Sequence, residues 1–239
     1  VIHLAADCIN LSVAEPAGSI RVNMVGAQNV FDAACQAKVR RVVHASSASV
    51  YGEPDKLPMH EDDALKPQTP YCITKLAGEQ LLAFYQKRHG LSSNVVRYFN
   101  VYGPGQKTDA YYTSVIQVFL KRIVAGEPPI IDGSGEQSMD FIHVDDIAGA
   151  TVAAYVSDKG GLTLNVGTGI DTSIATLARL LIQATGRDIE PQFRPRETLV
   201  TRRAADITRI QTELGWSPTV KVEDGIVALA KEFLREMEA

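Results

Sequence analysis

Short apolar runs alternate along this chain with longer stretches in which apolar residues recur every three or four positions. That alternation marks strands and amphipathic helices taking turns. Residues 1–4 read as a strand, 15–37 as a helix, 41–45 as a strand, 69–88 as a helix and 93–98 as a strand. In the first helix Ile20, Val22, Val25, Val30, Phe31 and Ala34 offer an apolar face. Such a strand–helix–strand order implies a parallel sheet covered by helices on both faces. Beyond Asn100 the pattern loosens. Helices are expected over 111–125, 145–157, 172–185, 206–214 and 222–237. Short strands are expected over 129–131, 139–142 and 163–166, with 190–205 a loop or short strand. No repeat, low-complexity tract or flexible linker divides the chain. A second lobe should therefore interleave with the first and leave a site between them.

The chain's 239 residues allow one or two domains with a substantial core. Apolar content of 45% and charged content of 22% are ordinary for a globular protein. A net charge of −4 gives no basic footprint for nucleic acid. No apolar run approaches the ~18 residues of a membrane span. The three cysteines, Cys8, Cys35 and Cys72, lack metal-ligand spacing. They read as small apolar residues of a protein kept in a reducing cytoplasm.

Candidate chemistry concentrates in Thr69-Pro70-Tyr71-Cys72-Ile73-Thr74-Lys75. Thr69 suits a helix cap, and Pro70 suits the first helical position, where its missing N–H costs nothing. Residues four apart share a helix face, so Tyr71 and Lys75 point the same way. A phenol beside Lys⁺ and near the positive end of a helix ionises more readily, and so becomes a general base. Upstream, Val42-Val43-His44-Ala45-Ser46-Ser47-Ala48-Ser49-Val50-Tyr51-Gly52 reads as a buried strand opening into a small-residue loop with hydroxyl donors. Downstream, Asn94-Val95-Val96-Arg97-Tyr98-Phe99-Asn100-Val101-Tyr102-Gly103-Pro104-Gly105 is another strand ending in polar and aromatic residues. Parallel strands bring such ends to one edge of the sheet.

Together with Val1-Ile2-His3-Leu4-Ala5-Ala6, Asp140-Phe141-Ile142-His143-Val144-Asp145-Asp146, Leu164-Asn165-Val166-Gly167 and Leu214-Gly215-Trp216, these segments span nearly the whole chain. In this order they resemble the extended short-chain dehydrogenase/reductase family and, within it, the NAD-dependent sugar-nucleotide epimerases and dehydratases. The resemblance implies a partial doubly wound parallel sheet, Rossmann-like, with a smaller interleaved α/β substrate lobe. Residues 1–100 would be the C-terminal portion of the NAD-binding domain, and 101–239 mainly the substrate lobe, with 143–170 returning to the sheet. Dehydratases of the family carry Asp-Glu after the catalytic hydroxyl, where this chain has Ala48 and Ser49. Without an acid to protonate a leaving hydroxyl, elimination is disfavoured. The loop resembles that of the UDP-glucose 4-epimerase-like members.

By that resemblance Ser47, Tyr71 and Lys75 would be catalytic, epimerising a nucleotide sugar at C4 through a 4-keto intermediate. Leu4, Ala5, Ala6, Asn23, Ala45 and Tyr98, with Tyr71 and Lys75, would line NAD. Ser47, Ser49, Asn100 and Arg194 would contact the nucleotide sugar, and no metal is implied. The family usually carries Arg where this chain has Met139, and losing a charge-assisted contact costs ~1.5–3 kcal/mol. Arg196, Arg202 or Arg203 would have to compensate. His143 falls at a structural position. Family members pair through two helices, here 15–37 and 69–88, which implies a homodimer. Two further readings stay open: a net NAD(P)-dependent reductase or dehydrogenase, and a truncated binding module. The latter is motivated by the missing Gly-rich turn that holds a dinucleotide pyrophosphate. By family order about 60–75 residues carrying that turn would precede Val1, in a protein of about 300 residues.

Overall fold

The structure, a computed structural model, describes residues 1–106, 114–195 and 201–238. Strand β1 (Ile2–His3) leads to helices α1 (Ile9–Ala14) and α2 (Pro16–Ile20), a π-helical turn (Arg21–Val25) and α3 (Gly26–Gln36). The expected helix over 15–37 is thus a continuous path with a π-turn inside it, started by Pro16. Helix α1 is an addition that apolar spacing did not announce, since its one fully buried side chain is the polar Ser12. Next come β2 (Val42–Ser47), a 3₁₀ turn (Ala48–Tyr51), α4 (Pro70–His89) and β3 (Ser93–Tyr98). Gly90, at φ 67°, ends α4 in the left-handed conformation that glycine adopts without a Cβ penalty.

The second half holds β4 (Asn100–Tyr102), α5 (Val115–Val124), β5 (Ile130–Asp132), β6 (Ser138–Met139), β7 (Phe141–His143) and α6 (Val144–Val156). It continues with β8 (Leu162–Val166), β9 (Thr172–Ser173), α7 (Ile174–Thr185), β10 (Gln192–Arg194), α8 (Thr208–Leu214) and α9 (Val222–Glu238). The expected start of α5 at residue 111 lies outside the described residues.

The main sheet is parallel, in the order β1-β2-β3-β8. Its two central strands are buried along nearly their whole length because helices cover both faces. On one face Val42 and Val95 pack with Phe31, Leu82 and Tyr85 of α3 and α4. On the other, Val43, Val96 and Leu164 pack with Ile147, Ala150 and Ala154 of α6. Phe31 is fully buried, and truncating it to Ala would cost ~3–5 kcal/mol. A third core joins α5, α7 and α9 around Leu120, Leu177 and Ile226. Gly225 of α9 is obligatory there, since a Cβ would stand 2.1 Å from the Tyr102 hydroxyl oxygen.

One expectation needs correction. Residues 139–142 are not a single strand but the parts of β6 and β7, which pair with β9 and β4 respectively. Asp140 separates them. It is fully buried, and its carboxylate accepts from the N–H groups of Thr168, Gly169 and Ala205 and from the Thr168 hydroxyl. A carboxylate drawn into four hydrogen bonds turns the chain between two small sheets. The short strand expected within 190–205 is β10, parallel to β5.

Candidate active site

Helix α4 is anchored at its start by its own cap and by two other segments. The Cys72 N–H donates to Thr69 Oγ1 at 3.3 Å, which makes Thr69 the cap, with Pro70 behind it. The Tyr71 N–H donates to Ser12 Oγ of α1 at 3.1 Å. Both bonds satisfy amides that have no partner within a helix. The Thr74 hydroxyl donates to the Tyr71 carbonyl at 2.9 Å and accepts from Asn23 Nδ2 at 3.2 Å. Asn23 sits in the π-turn, and its Oδ1 accepts the Asp7 N–H at 2.6 Å.

Lys75, one turn on, is buried, and its Nζ donates to the Ala45 carbonyl at 2.7 Å. That ammonium stands 5.7 Å from the centroid of the Tyr71 ring, so phenol and cation share one environment. Burial drives the Lys75 pKa down to about 8, against an upward pull from the Glu79 carboxylate. The cation is therefore mostly retained at neutral pH.

Glu79 lies one further turn along the same face and opens a buried network. Arg97 of β3 binds it bidentately, Nε to Oε1 at 3.0 Å and Nη2 to Oε2 at 2.7 Å. The Ser46 hydroxyl donates to the same carboxylate. Arg97 also donates to the Tyr51 hydroxyl and the Glu61 carbonyl, and Tyr51 donates to Asn165 Oδ1 at 2.7 Å. Consecutive residues of β2 are thus tied to α4, Ala45 through Lys75 and Ser46 through Glu79. Ser47 ends the strand. Its Oγ accepts from the Ser49 N–H at 3.2 Å and the Ser49 hydroxyl at 2.9 Å.

Below Lys75 lie two stacked imidazoles, His3 and His44, with ring centroids 5.4 Å apart. Neither nitrogen of His44 has a hydrogen-bond partner among the described residues. Burial, then the Lys75 charge, then His3, lower the His44 pKa to about 3, so the ring is neutral. It packs so closely on α4 that a Cβ at Gly78 would stand 2.6 Å from His44 Nε2.

The remaining expected positions are placed as follows. Leu4, Ala5 and Ala6 are exposed just past β1. Tyr98, opposite Ser47 in the sheet register, shares a hydrogen bond of 2.6 Å with the Thr151 hydroxyl. Asn100 hydrogen-bonds the Asp140 carbonyl through its backbone N–H at 3.0 Å. Arg194 is exposed on β10, and its Nε donates to Asp132 at 2.7 Å. Met139 packs against the third core. Arg202 pairs with Asp171 at 2.8 Å beside a cavity of about 530 Å³ also lined by Ser138 and Arg179, while Arg203 lies 3.6 Å from Glu53. Arg196 is outside the described residues. His143 caps α6, accepting the Asp145 N–H at 3.2 Å.

Residues 1–167 match the model of the NAD dependent epimerase/dehydratase family. The chain belongs to that family. A UDP-glucose 4-epimerase of Mycolicibacterium smegmatis is 38% identical over 98% of this chain and 75% of its own length. A putative UDP-glucose 4-epimerase of Methanocaldococcus jannaschii is 34% identical over 95% of this chain and 74% of its own. Among solved structures, the UDP-glucose 4-epimerase of Thermotoga maritima with UDP-glucose superposes with a TM-score of 0.93 at 33% identity, covering 100% of this chain and 78% of that one. The UDP-glucuronic acid 4-epimerase of Bacillus cereus, in complex with UDP-glucuronic acid and NAD, gives a TM-score of 0.86 at 30% identity, over 99% and 76%. The parallel α/β sheet is thus the sheet of Rossmann-like epimerases, and the family's cofactor is NAD.

Glu79 and Arg97 are the residues that apolar spacing and motif reading missed. Two signals were present. Glu79 repeats the Tyr71–Lys75 step once more, and Arg97 interrupts an apolar strand, where a charge needs a buried partner.

Proposed function

We propose that this protein epimerises a nucleotide sugar, a UDP-hexose at C4, with NAD as a tightly held cofactor. One observation carries the reading: a buried ammonium poised over the Tyr71 ring and fixed to the strand that ends in Ser47. The donor set fits the nicotinamide-ribose half of NAD. An ammonium has three hydrogens to give, and the Ala45 carbonyl is the one acceptor of Lys75 among the described residues. Donors toward ribose hydroxyls therefore remain. Ala5 and Ala6, exposed and small, allow a ligand to approach the backbone beyond β1.

When bound, NAD supplies the hydride-accepting and hydride-returning chemistry. The chain's own residues manage the proton and the pose. Tyr71 takes the proton of the C4 hydroxyl, and Lys75 stabilises the phenolate that makes this possible. Ser47 hydrogen-bonds the same sugar oxygen. Ala48 and Ser49 offer no acid to a leaving hydroxyl, which favours epimerisation over dehydration. Arg194 would grip the diphosphate with a planar fork of donors once released from Asp132.

The test incubates the full protein with UDP-hexoses without added NAD and follows the C4 epimers by NMR. Conversion with no net change in nicotinamide absorbance is expected. A stoichiometric absorbance change would instead make the protein a reductase or dehydrogenase, and inactivity across a nucleotide-sugar panel would make it a binding module. We further infer a cytoplasmic homodimer. Ile20, Val22 and Val25 on the first helical path, with Ile73 and Phe84 on α4, are exposed on the two helices expected to pair. A monomeric mass in sedimentation would refute this.

A further inference from the structure

A serine hydroxyl has one hydrogen to give and two lone pairs to receive. At Ser47 both lone pairs are taken by one residue, through the Ser49 N–H and the Ser49 hydroxyl. The backbone bond is fixed by the 3₁₀ turn that Ser47 caps. The hydroxyl bond belongs to the Ser49 side chain alone.

We propose that Ser49 is a positioning residue, whose hydroxyl fills the second lone pair of Ser47 and leaves Ser47 able only to donate. This rests on the epimerase reading of the site and sharpens it. A Ser47 with no free lone pair holds the C4 oxygen as a donor and keeps its own proton. The O–H bond of the C4 hydroxyl breaks as the O–H bond on Tyr71 forms, with no relay through serine. Ser49 then acts through Ser47 rather than by gripping the sugar.

The experiment uses Ser49→Ala and Ser49→Thr in the full protein. In turnover, Ser49→Ala should lower kcat ~10–100-fold, the scale of a misplaced catalytic group. KM should stay within about twofold, the mark of an interaction that matters in the transition state. Ser49→Thr should restore most of kcat. A raised KM at constant kcat would make Ser49 a sugar contact and overturn the proposal, as would an unchanged kcat. If the parent protein turns over no nucleotide sugar, the epimerase reading fails and this role with it; if the parent turns over and Ser49→Ala matches its kcat, the positioning role alone fails.

Discussion

Acid should unfold this protein partly through one imidazole. His44 is 2% exposed, its nitrogens are unpartnered among the described residues, and its pKa falls from 6.5 to about 3. In the unfolded chain it returns to 6.5, so between pH 6.5 and 3 the unfolded state binds more protons than the folded one. Stability from this residue is complete above the unfolded value and drains away as pH falls toward the folded value. From pH 7 to pH 5 the linkage amounts to ~2 kcal/mol. His3, lowered by burial and by Lys75, contributes in the same direction. The perturbation is His44→Leu, which fills a comparable volume without titrating. Its stability at pH 7 should be close to the parent's, because an apolar replacement also removes unpaired nitrogens. Urea denaturation of both proteins at pH 7 and pH 5 gives the comparison. The parent should lose ~2 kcal/mol more than the variant across that interval, about 1 M in midpoint for a slope of ~2 kcal/mol/M. Equal losses, within ~0.5 kcal/mol, would refute the neutral buried imidazole.

Tyr71→Phe should lower turnover ~10²–10⁴-fold with thermal stability preserved, measured by NMR conversion assay and calorimetry. Turnover of the parent should also decline above about pH 8, where Lys75 loses its proton, and a flat profile to pH 10 would refute the role of that charge. Glu79→Gln should cost ~3–5 kcal/mol by leaving Arg97 unpaired in the interior, and Glu79→Leu combined with Arg97→Met should cost far less than the two single changes summed. Chemical denaturation of the four proteins checks that coupling. Asp132→Asn frees the Arg194 fork and should tighten UDP binding severalfold by calorimetry; weaker binding would show that Asp132 itself helps hold the nucleotide.

The sheet and the Tyr71/Lys75 helix were legible because their determinants are local. Valine-rich runs make strands, and Thr69-Pro70 starts a helix wherever the rest of the chain goes. The split between β6 and β7 was not legible, because it depends on what Asp140 finds in the folded protein. Its four donors come from residues 168, 169 and 205, far along the chain. Helix α1 was hidden for the same reason, its worth lying in Ser12, which serves an amide 59 residues away. Arg194 could be assigned a phosphate from its motif, but only the register of β10 against β5 reveals that Asp132 reaches it first.

The physical problem of the site is to keep a cation beside a phenol in a place that water barely reaches. Burial alone pulls the Lys75 pKa down, and a neutral amine would give Tyr71 no help. Two features counter this. Ala45 offers a carbonyl dipole at 2.7 Å and Glu79 offers a charge one turn away, while His44, being neutral, adds no opposing charge. Glu79 would itself be expensive so deep in the fold, and Arg97 pairs with both of its oxygens. Arg97 in turn gives its Nη1 donors to the Tyr51 hydroxyl and the Glu61 carbonyl. Each group is tolerable only because the next is present. The pair proposed to react, Tyr71 and Lys75, is therefore joined to a chain of buried charges running from α4 to β3. A substitution deep in that chain should reach Tyr71 through the protonation of Lys75 rather than through displacement of the phenol.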